Sequence, residues 1–77
     1  MTKAVKLSVV VPCYNEETRF QKGFNHYYNW LKEQKYAWEL VLVDDGSNDG
    51  TLKLMENAAR QNSSVNVIAY TRNKGKG

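Results

Sequence analysis

Two adjacent carboxylates, Asp44 and Asp45, follow the apolar run Leu40-Val41-Leu42-Val43 and open the segment Asp44-Asp45-Gly46-Ser47-Asn48-Asp49-Gly50. An acidic side chain at the end of a buried strand is where Rossmann-like folds hold a ribose hydroxyl or a base edge. Asp49 brings a third carboxylate close in sequence, and hard cations such as Mg²⁺ take oxygen ligands of this kind. Ser47, Asn48 and Asp49 are equally the residue types that form a turn and cap a following helix, and for Asp49 that role is preferred.

A second polar segment, Pro12-Cys13-Tyr14-Asn15-Glu16, follows the apolar run that starts at Leu7. It lacks the G-x-G-x-x-G that lets a backbone approach a dinucleotide pyrophosphate, which disfavours a dehydrogenase-type site. It offers instead an aromatic ring, an amide and a carboxylate, groups that stack on or hydrogen-bond to a planar base. The same residues also suit a plain turn with Asn15 as helix N-cap. A third segment, Arg72-Asn73-Lys74-Gly75-Lys76-Gly77, combines glycines with cations that match diphosphate charge. It is not a Walker A loop, which requires G-x-x-x-x-G-K followed by Ser or Thr.

The elements between these segments place them together. Leu7 to Val11 is β-branched, nearly all apolar and closed by Pro12, the pattern of a strand buried on both faces, and Leu40 to Val43 repeats it. From Glu16 to Gln34, Phe20, Phe24, Tyr27, Tyr28 and Leu31 fall in one helical stripe roughly 100° wide. Asn15 is the predicted N-cap of that helix, with Glu16 and Glu17 in its first turn. Leu52, Met55, Ala58 and Ala59 mark a second helix over Thr51 to Gln61, and Val65 to Tyr70 reads as a third strand. Two successive right-handed parallel crossovers give an α/β sheet of order 3-2-1, with all three polar segments at its carboxyl edge, where open α/β sheets bind ligands. His26 lies opposite the aromatic stripe and is read as solvated. Phe20, Phe24, Tyr27, Tyr28 and Met55 are read as core, and Cys13 as a small buried filler.

Seventy-seven residues, 42% hydrophobic and 25% charged, suit one small globular domain and argue against disorder. A net charge of +3 is too small to indicate nucleic acid as a partner. The single cysteine precludes an internal disulfide, and a reducing cytoplasm is the expected compartment. The apolar run at Leu7 is far too short for a membrane span.

Val9-Val10-Val11-Pro12-Cys13-Tyr14-Asn15-Glu16-Glu17, then Val41-Leu42-Val43-Asp44-Asp45-Gly46-Ser47-Asn48-Asp49-Gly50-Thr51, then Arg72-Asn73-Lys74-Gly75-Lys76-Gly77 closely resemble the opening of family-2 glycosyltransferases. Within that family the resemblance is greatest to the polyprenyl-phosphate glycosyltransferases. It implies that residues 1–77 are a single partial domain, the Rossmann-like β-α-β-α-β half of a glycosyltransferase A-type fold. Pro12, Tyr14 and Glu16 would then contact the base and ribose of a UDP- or GDP-sugar, with Val43 and Asp45 closing the pocket, Asp44 supporting them, and Arg72 and Lys74 near the phosphates. The acceptor implied is a lipid phosphate or a glycan, and a parent enzyme would lie on the cytoplasmic face of a membrane. The family inverts the anomeric centre with a carboxylate base and a D-x-D pair that holds Mg²⁺ or Mn²⁺. This chain contains no D-x-D, so no catalytic residue and no metal ligand is assigned, and binding without turnover is expected.

Two other enzyme classes fit poorly. Methyltransferases that use S-adenosylmethionine need a glycine-rich first loop, and a response-regulator receiver needs an acidic pair after strand one and an Asp after strand three, where Tyr70-Thr71 stands. A non-catalytic module that self-associates through the 7–11 strand edge is the competing expectation.

Overall fold

A computed structural model describes residues 5–70. In chain order they form β1 (Leu7–Cys13), α1 (Phe20–Leu31), β2 (Trp38–Asp45), α2 (Thr51–Gln61) and β3 (Val65–Tyr70). The strands make one sheet in the order β1-β2-β3 with both pairings parallel, as the two-crossover reading requires. The bounds of α2 and β3 match those expected. Strands β1 and β2 run further toward the rim than their apolar runs, because Pro12, Cys13, Asp44 and Asp45 remain in register with their neighbours. Pro12 is tolerated there because β1 has β2 as its sole partner strand among the described residues, and proline is admitted at sheet edges.

Helix α1 is shorter than expected at both ends. Asn15 is not its N-cap: with φ at 50° it sits in the left-handed region, and Arg19 occupies the cap position without a side-chain cap bond. Glu16 and Glu17 therefore precede the helix. The amides of Arg19 and Phe20 both reach the Glu16 carbonyl, at 2.9 and 2.6 Å, in the turn that leads into it. At the other end Glu33 and Gln34 donate three residues back, to the Trp30 and Leu31 carbonyls, tightening the last turn. The Gln34 side-chain amide also donates to the Trp30 carbonyl at 2.9 Å.

Both helices cover one face of the sheet. Leu40 and Leu42 of β2 lie beneath Phe20, Phe24 and Leu31 of α1 and Met55 of α2 in a single core, joined by Cys13 and Val65. Leu31, Leu40, Leu42 and Met55 are almost completely removed from solvent. Each such side chain contributes roughly 1.5–3 kcal/mol relative to its exposed state. The rings extend the core laterally, Phe20 on Phe24 at 5.7 Å, Phe24 on Tyr28 at 5.5 Å, and Tyr28 edge-on to Trp38 at 6.0 Å.

Burial departs from expectation in two respects. Neither β1 nor β2 is buried on both faces: residues alternate, with Leu7, Val9, Val11 and Cys13 toward the helices and Ser8, Val10 and Pro12 exposed. The opposite face, carrying Val10, Val41, Val43, Ile68 and Tyr70, has no layer upon it among the described residues. A strand of continuous apolar character signals two covered faces, and two same-side crossovers supply one. Tyr27, expected in the core, is 40% exposed. It borders an open hollow of about 230 Å³ between the outer edge of β1 and α1, also lined by Val11, Cys13, Phe20 and Phe24.

Candidate functional site

Parallel strands deliver their carboxyl ends to one edge, and register decides which residues become neighbours. Pro12 pairs with Val43 and Cys13 with Asp44, while Asp44 and Asp45 pair with Ala69 and Tyr70 of β3. The loops after β1 and β2 therefore leave the sheet side by side. Tyr14, Asn15 and Glu16 lie in the first of these loops.

Alternation along β2 gives the two aspartates opposite surroundings. Asp44 is 2% exposed on the helix side. Its carboxylate oxygens accept the Ser47 N–H at 3.3 and 3.4 Å, closing a turn in which Gly46 takes φ 77°. Asp45 is exposed on the uncovered side, the side of Pro12 and Val43. The pair thus divides into a buried carboxylate that shapes the loop and one on the solvent-facing side.

The second loop is fastened to the first by side-chain oxygens that meet successive backbone amides. Asn15 N–H donates to Ser47 Oγ at 2.9 Å, Glu16 N–H to Thr51 Oγ1 at 2.8 Å, and Glu17 N–H to Asp49 Oδ2 at 3.3 Å. Two bonds run in reverse, from Asn48 N–H to Asn15 Oδ1 at 2.8 Å and from Gly50 N–H to Glu17 Oε1 at 3.1 Å. A row of consecutive amides is the device by which glycine-rich loops cradle phosphate. Here hydroxyl and carboxylate oxygens of the chain itself occupy those donors, so the first loop offers a ligand its side chains rather than its backbone.

Asp49 completes this arrangement. Its Oδ1 accepts the Thr51 N–H at 2.9 Å and the Thr51 hydroxyl, which caps α2 from one position before its N-cap, Gly50. The Thr51 hydroxyl, and then the amides of Thr51 and Glu17, hold the Asp49 carboxyl below the ordinary carboxylate range. The preferred reading of Asp49 as a turn and capping residue agrees with these contacts. Cys13 is buried, and its thiol is pushed up by that burial and by the charges of Glu16 and Asp44, an environment that disfavours the thiolate. Glu16 forms an ion pair with Arg19 at 2.7 Å. His26 is exposed beside Tyr27, in keeping with a solvated role.

The carboxylates present do not fit a divalent cation. Asp44 and Asp45 diverge to opposite faces and Asp49 is engaged by Thr51 and Glu17. Among the described residues no three of His, Cys, Asp and Glu are grouped to hold a metal ion. Of the expected site residues, the register brings together Pro12, Val43, Asp44 and Asp45, with Tyr14, Asn15 and Glu16 in the adjoining loop, whereas Arg72 and Lys74 lie outside the described residues. Glu17, Ser47, Gly50 and Thr51 were not among the expected site residues. For Ser47 and Thr51 the signal was present as oxygen-bearing side chains at alternate positions, Ser47-x-Asp49-x-Thr51, after the aspartate pair.

Comparison with known proteins gives the family. Residues 8–77 match the family model described as glycosyl transferase family 2. The chain is 43% identical over 79 residues to a dolichyl-phosphate beta-glucosyltransferase of Mus musculus, an alignment covering 94% of this chain and 24% of that protein. It is 38% identical over 79 residues to one from Trichomonas vaginalis, covering 96% of this chain and 24% of the relative. An undecaprenyl-phosphate 4-deoxy-4-formamido-L-arabinose transferase of Proteus mirabilis is 39% identical over 74 residues, covering 95% of this chain and 23% of that enzyme. The chain spans about a quarter of the length of these curated relatives. With a family match across nearly all of its residues and the open α/β sheet that the motifs require, the chain belongs to glycosyl transferase family 2.

Proposed function

We propose that this chain binds the nucleotide of a UDP- or GDP-sugar, for inverting transfer of a hexose to a polyprenyl phosphate or a glycan. The observation that supports the reading is the register at the carboxyl edge, which sets the exposed Asp45 on the same side as Pro12 and Val43 and beside the loop that carries Tyr14. In this reading Pro12 and Val43 form an apolar floor, Tyr14 stacks on the base, and Asp45 and Glu16 accept hydrogen bonds from the base edge and ribose hydroxyls. Asp44 supports the second loop from below, Asn15 carries Tyr14 and Glu16, and Arg72 and Lys74 counter the diphosphate charge. Relatives known as dolichyl-phosphate and undecaprenyl-phosphate transferases favour a lipid-phosphate acceptor over a glycan.

The chemical task of such a reaction is stabilisation of a departing diphosphate. Mg²⁺ or Mn²⁺ would supply that charge compensation when bound, and the described carboxylates do not hold it. We therefore assign these residues to binding and none to bond cleavage. No described helix is long and apolar enough to cross a membrane. We place the reaction on the cytoplasmic side, where the lone thiol of Cys13 stays reduced.

Titration of the ¹⁵N-labelled chain with UDP and with GDP tests the reading. Concentration-dependent shifts centred on the amides of residues 14–16 and 43–45 are expected from one of the two nucleotides. Shifts confined to other surfaces would contradict the assignment.

A further inference from the structure

The two rim loops are joined by bonds that bypass the sheet, and their donors and acceptors interleave. Asn15 gives its N–H to Ser47 and takes the N–H of Asn48 on its side-chain oxygen. Glu17 gives its N–H to Asp49 and takes the N–H of Gly50 on its carboxylate. Between these reciprocal pairs Glu16 donates to Thr51, whose side chain is fully buried. We infer that Asn15, Glu17, Ser47, Asp49 and Thr51 are positioning residues that act as one clasp, fixing the loop of Tyr14 and Glu16 against the aspartate loop so that the nucleotide pocket is formed before the ligand arrives. The inference rests on the pocket assignment above.

Three observations give the clasp this role. First, Asn15 holds φ at 50°, a conformation that asparagine tolerates better than most residues and that needs surrounding contacts to persist. Its two bonds supply them, and Tyr14 and Glu16 are its immediate neighbours. Second, the bonds join residues more than thirty positions apart and are largely solvent-exposed, so they are placed to set loop geometry and add little to the core. Third, the clasp dictates a residue without a side chain at Gly50. A Cβ there would stand 2.8 Å from Glu17 Oε2, although the φ of Gly50, −82°, suits any residue. Only the end of an exposed glutamate blocks the space. Alanine at this position is therefore accommodated by swinging Glu17 away, which breaks one reciprocal pair and leaves the sheet and helices in place.

A preformed pocket binds more tightly because ordering the loops no longer opposes association. The test uses the full chain, with Gly50→Ala, Thr51→Val and Thr51→Ser, UDP and GDP as probes, and two independent readouts. Thermal unfolding and circular dichroism report the fold; amide hydrogen exchange at residues 15, 16, 17, 48 and 50 reports the clasp without any nucleotide. We expect Gly50→Ala and Thr51→Val to unfold as cooperatively as the parent, to speed exchange at all five amides together, and to weaken nucleotide binding about tenfold, the consequence of losing a bond of roughly 1.4 kcal/mol. Thr51→Ser, which keeps the hydroxyl, restores both protection and affinity. Faster exchange confined to the one amide whose partner was altered overturns the clasp as a unit. Unchanged nucleotide affinity with all five amides deprotected overturns its positioning role. Should the parent bind neither nucleotide, the pocket assignment fails on that result alone, and the pocket-forming inference falls with it, whereas the exchange pattern still decides whether the five bonds open together.

Discussion

The amide of Glu16 donates to the hydroxyl of Thr51 at 2.8 Å, across thirty-five residues of sequence. Glu16 precedes α1 and Thr51 begins α2, so this one bond ties together the entrances of both helices. It also explains why α1 starts at Phe20 instead of directly after Asn15: the amides of residues 15–17, which a helix beginning there would leave unsatisfied, are accepted by the neighbouring loop.

The adjacent aspartates should separate by experiment. Asp44→Ala removes the acceptor of the Ser47 N–H from a site only 2% exposed and is expected to lower stability by about 1–3 kcal/mol. Asp45→Ala, at an exposed position, should lower stability by less than Asp44→Ala does. Urea unfolding of the two variants checks this, and equal destabilisation would contradict the opposite facing of the pair.

The second loop should loosen in acid. The Asp49 carboxyl is lowered by the Thr51 hydroxyl and by amides, so its contribution is fully present above the ordinary carboxylate value of about 3.9 and is lost as pH falls below that value through its folded pKa. Faster exchange at the Glu17 and Thr51 amides, setting in below about pH 3.9 in the parent and lacking that pH dependence in Asp49→Asn, is the expected outcome. Loosening that begins near neutral pH would point to a different group.

Much of this arrangement was legible in the residues, and the failures have physical causes. Apolar runs ending in Pro12 and in Asp44-Asp45 located two strands, and their spacing with a helix between them implied parallel order. What periodicity cannot register is how many layers cover a sheet: Val10 and Ile68 are as apolar as Val9 and Leu42, yet they are 60% and 44% exposed. The start of α1 escapes a local reading because Asn15 and Glu16-Glu17 form a good local capping pattern, and the winning partners, Ser47, Asp49 and Thr51, are distant in sequence. Tyr27 sits on the expected stripe but above a hollow, a matter of packing that one helix cannot reveal alone.

Core packing should carry most of the stability. Leu42 is 1% exposed at the centre of β2, between β1 and β3 and beneath both helices. Leu42→Ala is expected to cost about 2–5 kcal/mol, enough to leave a domain of this size partly unfolded at 37 °C. A loss under 1 kcal/mol would show that the core is not organised around this strand.

Self-association is the expected behaviour of the uncovered surfaces. Strand β1 has an edge without a partner strand among the described residues, and Val10, 60% exposed, lies on the open face. Placing lysine at Val10 should reduce the mass measured by light scattering at high concentration, at little cost in stability because the side chain is not core. A monomeric parent at every concentration would remove this expectation.

Asp45, exposed beside Val43 and the Tyr14 loop, is the residue proposed to contact the nucleotide. Calorimetric titration of the parent and of Asp45→Ala with UDP and GDP addresses it most directly. Saturable binding of one nucleotide by the parent and about tenfold or greater weakening in the variant are expected, as for loss of a hydrogen bond to a charged group. Equal affinity in the two proteins would contradict it.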